Sequence, residues 1–155
     1  MLTALISAGT VILIFFSMMF SAAETAFFSI NKLRLRFLRD KKHKGALKAG
    51  KLLDNKERLL NTVLVGNNIV NIGLSVLFTS LALTLFGPQG RSLSVAFASV
   101  CATVLLLIFG EIFPKTVAAA RPESVAFKLA GPITFFSYVF NPLVRFFTLL
   151  CSRLI

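Results

Sequence analysis

The sequence predicts an all-α membrane protein with three transmembrane helices, a cytoplasmic helical hairpin between the first two, and juxtamembrane interfacial helices after the third. Three observations lead there. Hydrophobic residues make up 56% of 155, and the stretches from Leu2 to Ile30, from Leu59 to Phe86 and from Ser92 to Phe113 reach or exceed the roughly 20 residues needed to cross about 30 Å of hydrocarbon. Of 17 Lys and Arg, 11 lie between Lys32 and Arg58, against only Asp40, Asp54 and Glu57; such an excess in a short connection marks the cytoplasmic side. A chain this short with three spans has no room for a separate soluble core, so residues 1–155 are expected to form one domain whose polar groups are satisfied between helices.

The first span, Leu2 to Ile30, contains Ser21-Ala22-Ala23, which could pass for a small-residue cleavage site. No positive region precedes it and dense positive charge follows it, the reverse of a signal peptide. Between Lys32 and Arg58 the apolar residues Leu33, Leu35, Phe37 and Leu38, then Ala46, Leu47, Ala49, Leu52 and Leu53, predict two short basic amphipathic helices joined around His43-Lys44-Gly45 and lying near the membrane interface. His43, among lysines, reads as solvated rather than as a ligand. The net charge of +11 is concentrated here, where acidic lipid headgroups attract Lys and Arg; nucleic-acid binding is not expected, for want of a basic patch interleaved with aromatics or any known binding motif.

The second span, Leu59 to Phe86, is followed by the turn-like Gly87-Pro88-Gln89-Gly90-Arg91 and by the third, Ser92 to Phe113. Three crossings with a cytoplasmic hairpin place the N-terminus outside and the C-terminus in the cytoplasm, in a multi-pass protein of the cell (inner) membrane. After Pro122, Ser124 to Ala130 reads as helix, Gly131-Pro132 as an interruption, and Ile133 to Leu154 as apolar again. A fourth crossing over residues 129–150 is possible by length, but the prolines, Asn141 and Arg145 favour bent interfacial helices with snorkelling charges. The chain stops at Ile155 in an apolar stretch without a cap, as a longer protein cut at that point would. Cys101 and Cys151 lie in separate apolar segments with no metal-ligand spacing and read as packing residues.

The informative chemistry sits inside the spans. Glu111 is the only charge between Ser92 and Phe113, and a carboxylate at membrane depth marks a functional site by default. Pro114 cannot donate to the carbonyl four residues back and its ring pushes that carbonyl aside. That residue is Gly110, whose missing side chain permits close approach. In the first span Ser17, Ser21 and Glu24 share one helix face. In the second, Asn67, Asn71 and Ser75 form a polar stripe with Asn68 beside it. At about 1.5 Å per residue, Ser21 and Asn67 lie roughly 12 to 15 Å from the cytoplasmic ends and Asn71 deeper, whereas Glu111, measured from Phe113, comes out shallower. Serines and asparagines in membrane helices often do no more than bond neighbouring helices, but three asparagines within five residues, two acids and a freed carbonyl together favour an ion site. Hydroxyl, amide, carbonyl and carboxylate oxygens suit Mg²⁺, Na⁺ or Ca²⁺, and the lack of a thiolate or imidazole cluster argues against softer metals. Glu24 has a competing reading, as partner of a cytoplasmic Lys or Arg.

The segments Ser21-Ala22-Ala23-Glu24-Thr25-Ala26-Phe27, Val65-Gly66-Asn67-Asn68-Ile69-Val70-Asn71 and Gly110-Glu111-Ile112-Phe113-Pro114-Lys115 closely resemble the signature motifs of the transmembrane domain of the CNNM/CorC magnesium transporters, in order and spacing over essentially the whole chain. The resemblance implies a homodimer of three-span subunits with a juxtamembrane helix belt, exporting Mg²⁺ against Na⁺ entry. It implies ion ligation by Ser21, Asn67, Asn71, the backbone oxygen of Gly110 and Glu111, with Ser17, Glu24, Asn68, Pro114 and Lys115 as secondary ion or gating positions. Family members usually continue into cytoplasmic nucleotide-binding domains, which this sequence lacks. Independently of the resemblance, Ser94, Ala98 and Ala102 form a small-residue stripe that permits close helix approach, within a subunit or between two. The alternative function is a membrane anchor that senses the ion without moving it. An enzyme is not expected, because no nucleophile is accompanied by a suitable base.

Overall fold

The computed structural model describes residues 1–86 and 92–143; the turn-like Gly87 to Arg91, the side chains of Ser94 and Ala98, and the stretch holding Arg145 and Cys151 lie outside the described residues. Every described element is helical. Helix α1 spans Leu2–Ser29, α2 Lys32–Asp40, α3 Lys44–Asp54 and α4 Lys56–Phe86. A long third rod follows, made of α5 (Ser92–Leu105), a π-helical segment over Leu106–Ile112 and α6 (Phe113–Ala120), and then α7 (Pro122–Val139). Three helical stretches are long and apolar enough to cross a membrane: Thr3–Ser29, Lys56–Thr84 and Ser99–Ala120.

Helices α1 and α4 form the principal packed pair, and a glycine sets their separation. A Cβ on Gly66 would sit 2.5 Å from the Phe20 ring, so only glycine lets that ring lie against α4. On its other side Phe20 meets Phe136 of α7 edge-on, with ring centroids 5.1 Å apart. Phe20, Phe27, Leu59, Leu74 and Ile133 are fully buried around this seam. Val11, Phe15, Ile72, Val76 and Val100 are exposed, as expected of side chains that face lipid rather than water in the membrane.

The basic connection folds into the two short helices expected, with a different turn. Chain reversal occurs at Lys41 and Lys42, and Lys42 takes a positive φ of 56°. The amides of Lys42 and His43 then bond the carbonyls of Arg39 (2.9 Å) and Leu38 (3.0 Å), the left-handed termination that closes many helices. Exposed His43 caps α3, its Nδ1 accepting from the Ala46 amide at 3.3 Å. Asn31 caps α2 in the same way through Leu33 and Arg34. A forked pair of hydrogen bonds, both 3.1 Å, joins Arg39 to Asp54, and Arg34 pairs with Glu123 in the first turn of α7 at 2.9 Å.

Two sequence expectations are corrected. The third rod does not end near Phe113 but runs on to Ala120, because Pro114 falls in the first turn of α6, where a missing N–H is tolerated. Gly131-Pro132 does not interrupt α7. Pro132 turns its ring to the open side, and its missing N–H deprives only the Lys128 carbonyl, four residues back, on a residue that is itself exposed.

Candidate functional site

Several hydroxyls on the long helices turn inward to their own helix. Those of Thr10, Thr62, Thr79, Ser80, Thr84, Thr103 and Thr116 each donate to the carbonyl four residues back, at 2.7 to 2.9 Å. Ser17 and Ser21 do not, although both are completely buried. The Ser17 hydroxyl points across the bundle, 3.2 Å from Asn71 Oδ1 on α4 and 3.5 Å from the Gly110 carbonyl on the third rod. One proton thus faces two acceptors. Three oxygens from three spans gather around a single hydrogen, an arrangement short of protons that suits a cation.

Further oxygens are supplied from the same levels. Ser21 Oγ, one turn along α1 from Ser17, and Asn67 Oδ1, one turn along α4 from Asn71, are buried with no hydrogen-bond partner. A buried acceptor without a partner costs about 1–3 kcal/mol, so each favours a bound water or ion beside it. Glu111 follows Gly110 and is partly buried; among the described residues it makes no hydrogen bond or ion pair. No three His, Cys, Asp or Glu side chains converge among the described residues, so a cation here would meet neutral oxygens and one carboxylate.

The π-helical segment explains how Gly110 reaches the centre. Its wider turn bonds the Phe113 amide to the Ile108 carbonyl, five residues back, and such bulges recur at functional sites. Pro114 has no N–H to offer to the Gly110 carbonyl four residues back, and that carbonyl lies 3.5 Å from the Ser17 hydroxyl. Gly110 is buried, and a Cβ there would stand 3.0 Å from Ser17 Oγ. A side chain at 110 would therefore intrude on the cluster itself.

The longer third rod changes the depth arithmetic. Ser21 lies eight residues before the end of α1 at Ser29, Asn67 eleven after the start of α4 at Lys56, and Glu111 nine before the end of α6 at Ala120. At 1.5 Å per residue these are about 12, 17 and 14 Å along their own helices, so Glu111, measured from Ala120, is no longer within a turn of its helix end.

The structure joins Ser17, Asn71 and Gly110 by hydrogen-bonding distances, and places Ser21, Asn67 and Glu111 a turn or less along the chain from them. It gives Ser17 a more central position than its secondary rank in the sequence reading. Asn68 is exposed and outside the cluster. Glu24 is engaged by Lys115 Nζ at 3.2 Å, a pair that ties α1 to α6. Its partner thus comes from the third rod rather than from the basic connection. Pro114 is buried behind Gly110. Two features had no readable signal: a π-helical register does not show in apolar periodicity, and Ser17 differs from a back-bonded serine only through the helix it faces.

Fold and site together define a multi-pass membrane protein whose three spans share a buried cluster of oxygens. The chain belongs to the CNNM family, its residues 8–155 matching the cyclin M transmembrane N-terminal domain. It is 43% identical over 134 residues to a UPF0053 protein of Haemophilus influenzae, covering 86% of this chain and 31% of that one. Over 125 residues it is 38% identical to the UPF0053 inner membrane protein YfjD of Escherichia coli, covering 81% and 28%. A polyamine export protein of Haemophilus influenzae is 33% identical over 146 residues, covering 88% and 34%. The chain thus spans about a third of the length of these curated relatives.

Proposed function

We propose that this chain is a magnesium transporter domain that exports Mg²⁺ from the cytoplasm, coupled to Na⁺ entry, through the oxygen cluster between its three spans. The observation that carries the reading is the buried set of Ser17, Asn71 and Gly110 oxygens sharing one proton, flanked by the unpartnered Ser21 Oγ and Asn67 Oδ1. Mg²⁺ takes oxygen ligands in near-octahedral geometry and gives up its water reluctantly. Ser21, Asn67, Asn71, the Gly110 carbonyl and Glu111 replace part of that water, and the Ser17 hydroxyl orients two of the ligand oxygens. Na⁺ at the same or neighbouring oxygens returns the protein to its starting state. The basic pair α2–α3 lies on the cytoplasmic face by the positive-inside rule, so the N-terminus is outside and the domain of residues 1–155 sits in the inner membrane. Three spans are few to enclose a path, and a homodimer supplies the remaining wall.

One relative is named for polyamine export, which makes a polyamine the second candidate cargo. A polyamine carries several separated charges and needs several separated anions. Between Leu2 and Ile30, Leu59 and Phe86, and Ser92 and Phe113 the acids are Glu24 and Glu111, and Glu24 is engaged by Lys115, so the cluster favours a compact ion.

The test is flux through the purified protein in sealed vesicles loaded with a Mg²⁺ indicator. Mg²⁺ movement accelerated by an opposing Na⁺ gradient is expected. Binding of Mg²⁺ without flux would instead fit an ion-sensing anchor, and flux of spermidine but not Mg²⁺ would reassign the cargo.

A further inference from the structure

We infer that the cavity between α3, the start of α4 and α7 binds a phosphate group, presented either by an acidic phospholipid headgroup or by a soluble phosphate. The cavity holds about 410 Å³ and is lined by Lys48 and Lys51 of α3, Arg58 of α4, and Thr134, Ser137 and Tyr138 of α7. It is separate from the oxygen cluster and takes ligands of the opposite charge.

The charge of this cavity is uncompensated. No Asp or Glu lines it, and Lys48, Lys51 and Arg58 take part in none of the ion pairs found among the described residues, which join Arg34 to Glu123, Arg39 to Asp54 and Lys115 to Glu24. Arg58 is partly buried. One guanidinium nitrogen donates to the Ser137 carbonyl at 3.1 Å, the group lies 5.4 Å over the Tyr138 ring, and its Nε is buried without an acceptor. A charge withdrawn from water and left without a counter-ion is unfavourable. A phosphate removes that cost, because its oxygens match the guanidinium fork and accept from lysine ammonium groups as well.

The fixed parts suit this ligand. Lys48 and Lys51, three residues apart, share one face of α3. The Arg58 backbone is held by Asn55, whose Oδ1 accepts from its amide at 3.0 Å, and the Ser137 and Tyr138 contacts hold its side chain. Thr134, Ser137 and Tyr138 of α7 complete the lining. Arg58 immediately precedes Leu59, where the apolar run of α4 begins, which sets the guanidinium at the edge of the hydrocarbon among the lipid phosphates. Tyr138 is 69% exposed, in the position that interfacial aromatics take.

The experiment measures thermal unfolding of the purified chain in detergent, titrated with phosphatidylglycerol, phosphatidylcholine or inorganic phosphate. Because Arg58 also holds the Ser137 carbonyl, the informative variant is the double substitution Lys48→Gln and Lys51→Gln, both exposed and free of structural bonds among the described residues. Each basic residue near an anionic headgroup changes affinity roughly fivefold, so the phosphatidylglycerol concentration giving half-maximal stabilisation is expected to rise about 25-fold. Lys128→Gln, outside the cavity, is expected to leave it unchanged, and phosphatidylcholine to give no comparable stabilisation. Stabilisation by inorganic phosphate that is lost in the same double variant supports the site and assigns its ligand to the soluble pool. Protection of the double variant equal to that of wild type, or failure of both anions to stabilise wild type, would overturn the inference.

Discussion

Substitution of Gly110 by alanine separates the stability of this fold from its function. The added Cβ would lie 2.8 Å from Leu106 Cδ1 and 3.0 Å from Ser17 Oγ. The leucine methyl ends a flexible side chain and can move, whereas the serine oxygen is enclosed on a fully buried residue and must rotate. Rotation takes it away from Asn71 Oδ1 and the Gly110 carbonyl, at the cost of a net hydrogen bond worth about 0.5–1.5 kcal/mol. The helix regains about 1 kcal/mol from replacing glycine with alanine. These two terms nearly cancel, so global stability is expected to stay within about 1 kcal/mol of wild type. Ion affinity has no such compensation, since Ser17 orients two ligand oxygens and loss of an orienting partner typically weakens metal binding about 10–100-fold. Chemical denaturation read beside Mg²⁺-dependent thermal stabilisation measures both quantities. A Gly110→Ala protein that binds Mg²⁺ as wild type does would refute the assignment of the Ser17 cluster to the ion.

Three further substitutions probe neighbouring parts of the account. Gly66→Ala drives a methyl into the Phe20 ring, which Phe136 and Phe140 support from the other side; it is expected to destabilise by about 1–3 kcal/mol in detergent unfolding. Lys42→Gly relieves the left-handed backbone between α2 and α3 and is expected to raise stability by about 1 kcal/mol in the same assay, with ion binding unchanged. Glu24→Gln breaks a partly exposed ion pair and is expected to cost no more than about 1 kcal/mol. If it abolished Mg²⁺ binding, Glu24 would belong among the ligands rather than with Lys115.

The parts legible in the sequence were those that hydrophobicity and covalent geometry dictate. Unbroken apolar length marked the three spans, charge density marked α2 and α3, and Pro114 drew attention to the carbonyl of buried Gly110, because a missing N–H acts locally. Where helices end was harder to read. Phe113 looked like a boundary because Pro114 and Lys115 follow it, yet the π-helical segment resets the register so that the proline opens α6 instead of closing the rod. Gly131-Pro132 misled because Pro132 and Lys128, whose carbonyl loses its donor, both lie on the open side of α7, and which face of a helix is open shows only in three dimensions. Within the candidate site, polar residue types at helical spacing singled out Asn67, Asn71 and Ser21, of which Asn71 bonds across the spans to Ser17. Which serine bridges the spans depends on the close approach of α1 to α4 at Gly66 and Phe20, and no local pattern encodes that contact.

The central claim is that oxygens from three spans form one cation site, and Mg²⁺ binding by Asn71→Ala and Glu111→Ala tests it most directly. Mg²⁺-dependent stabilisation of the purified protein, with Na⁺ and Ca²⁺ in competition, is expected to be strong for wild type and lost in both variants, which draw on different helices. Wild-type Mg²⁺ affinity in both would contradict the account.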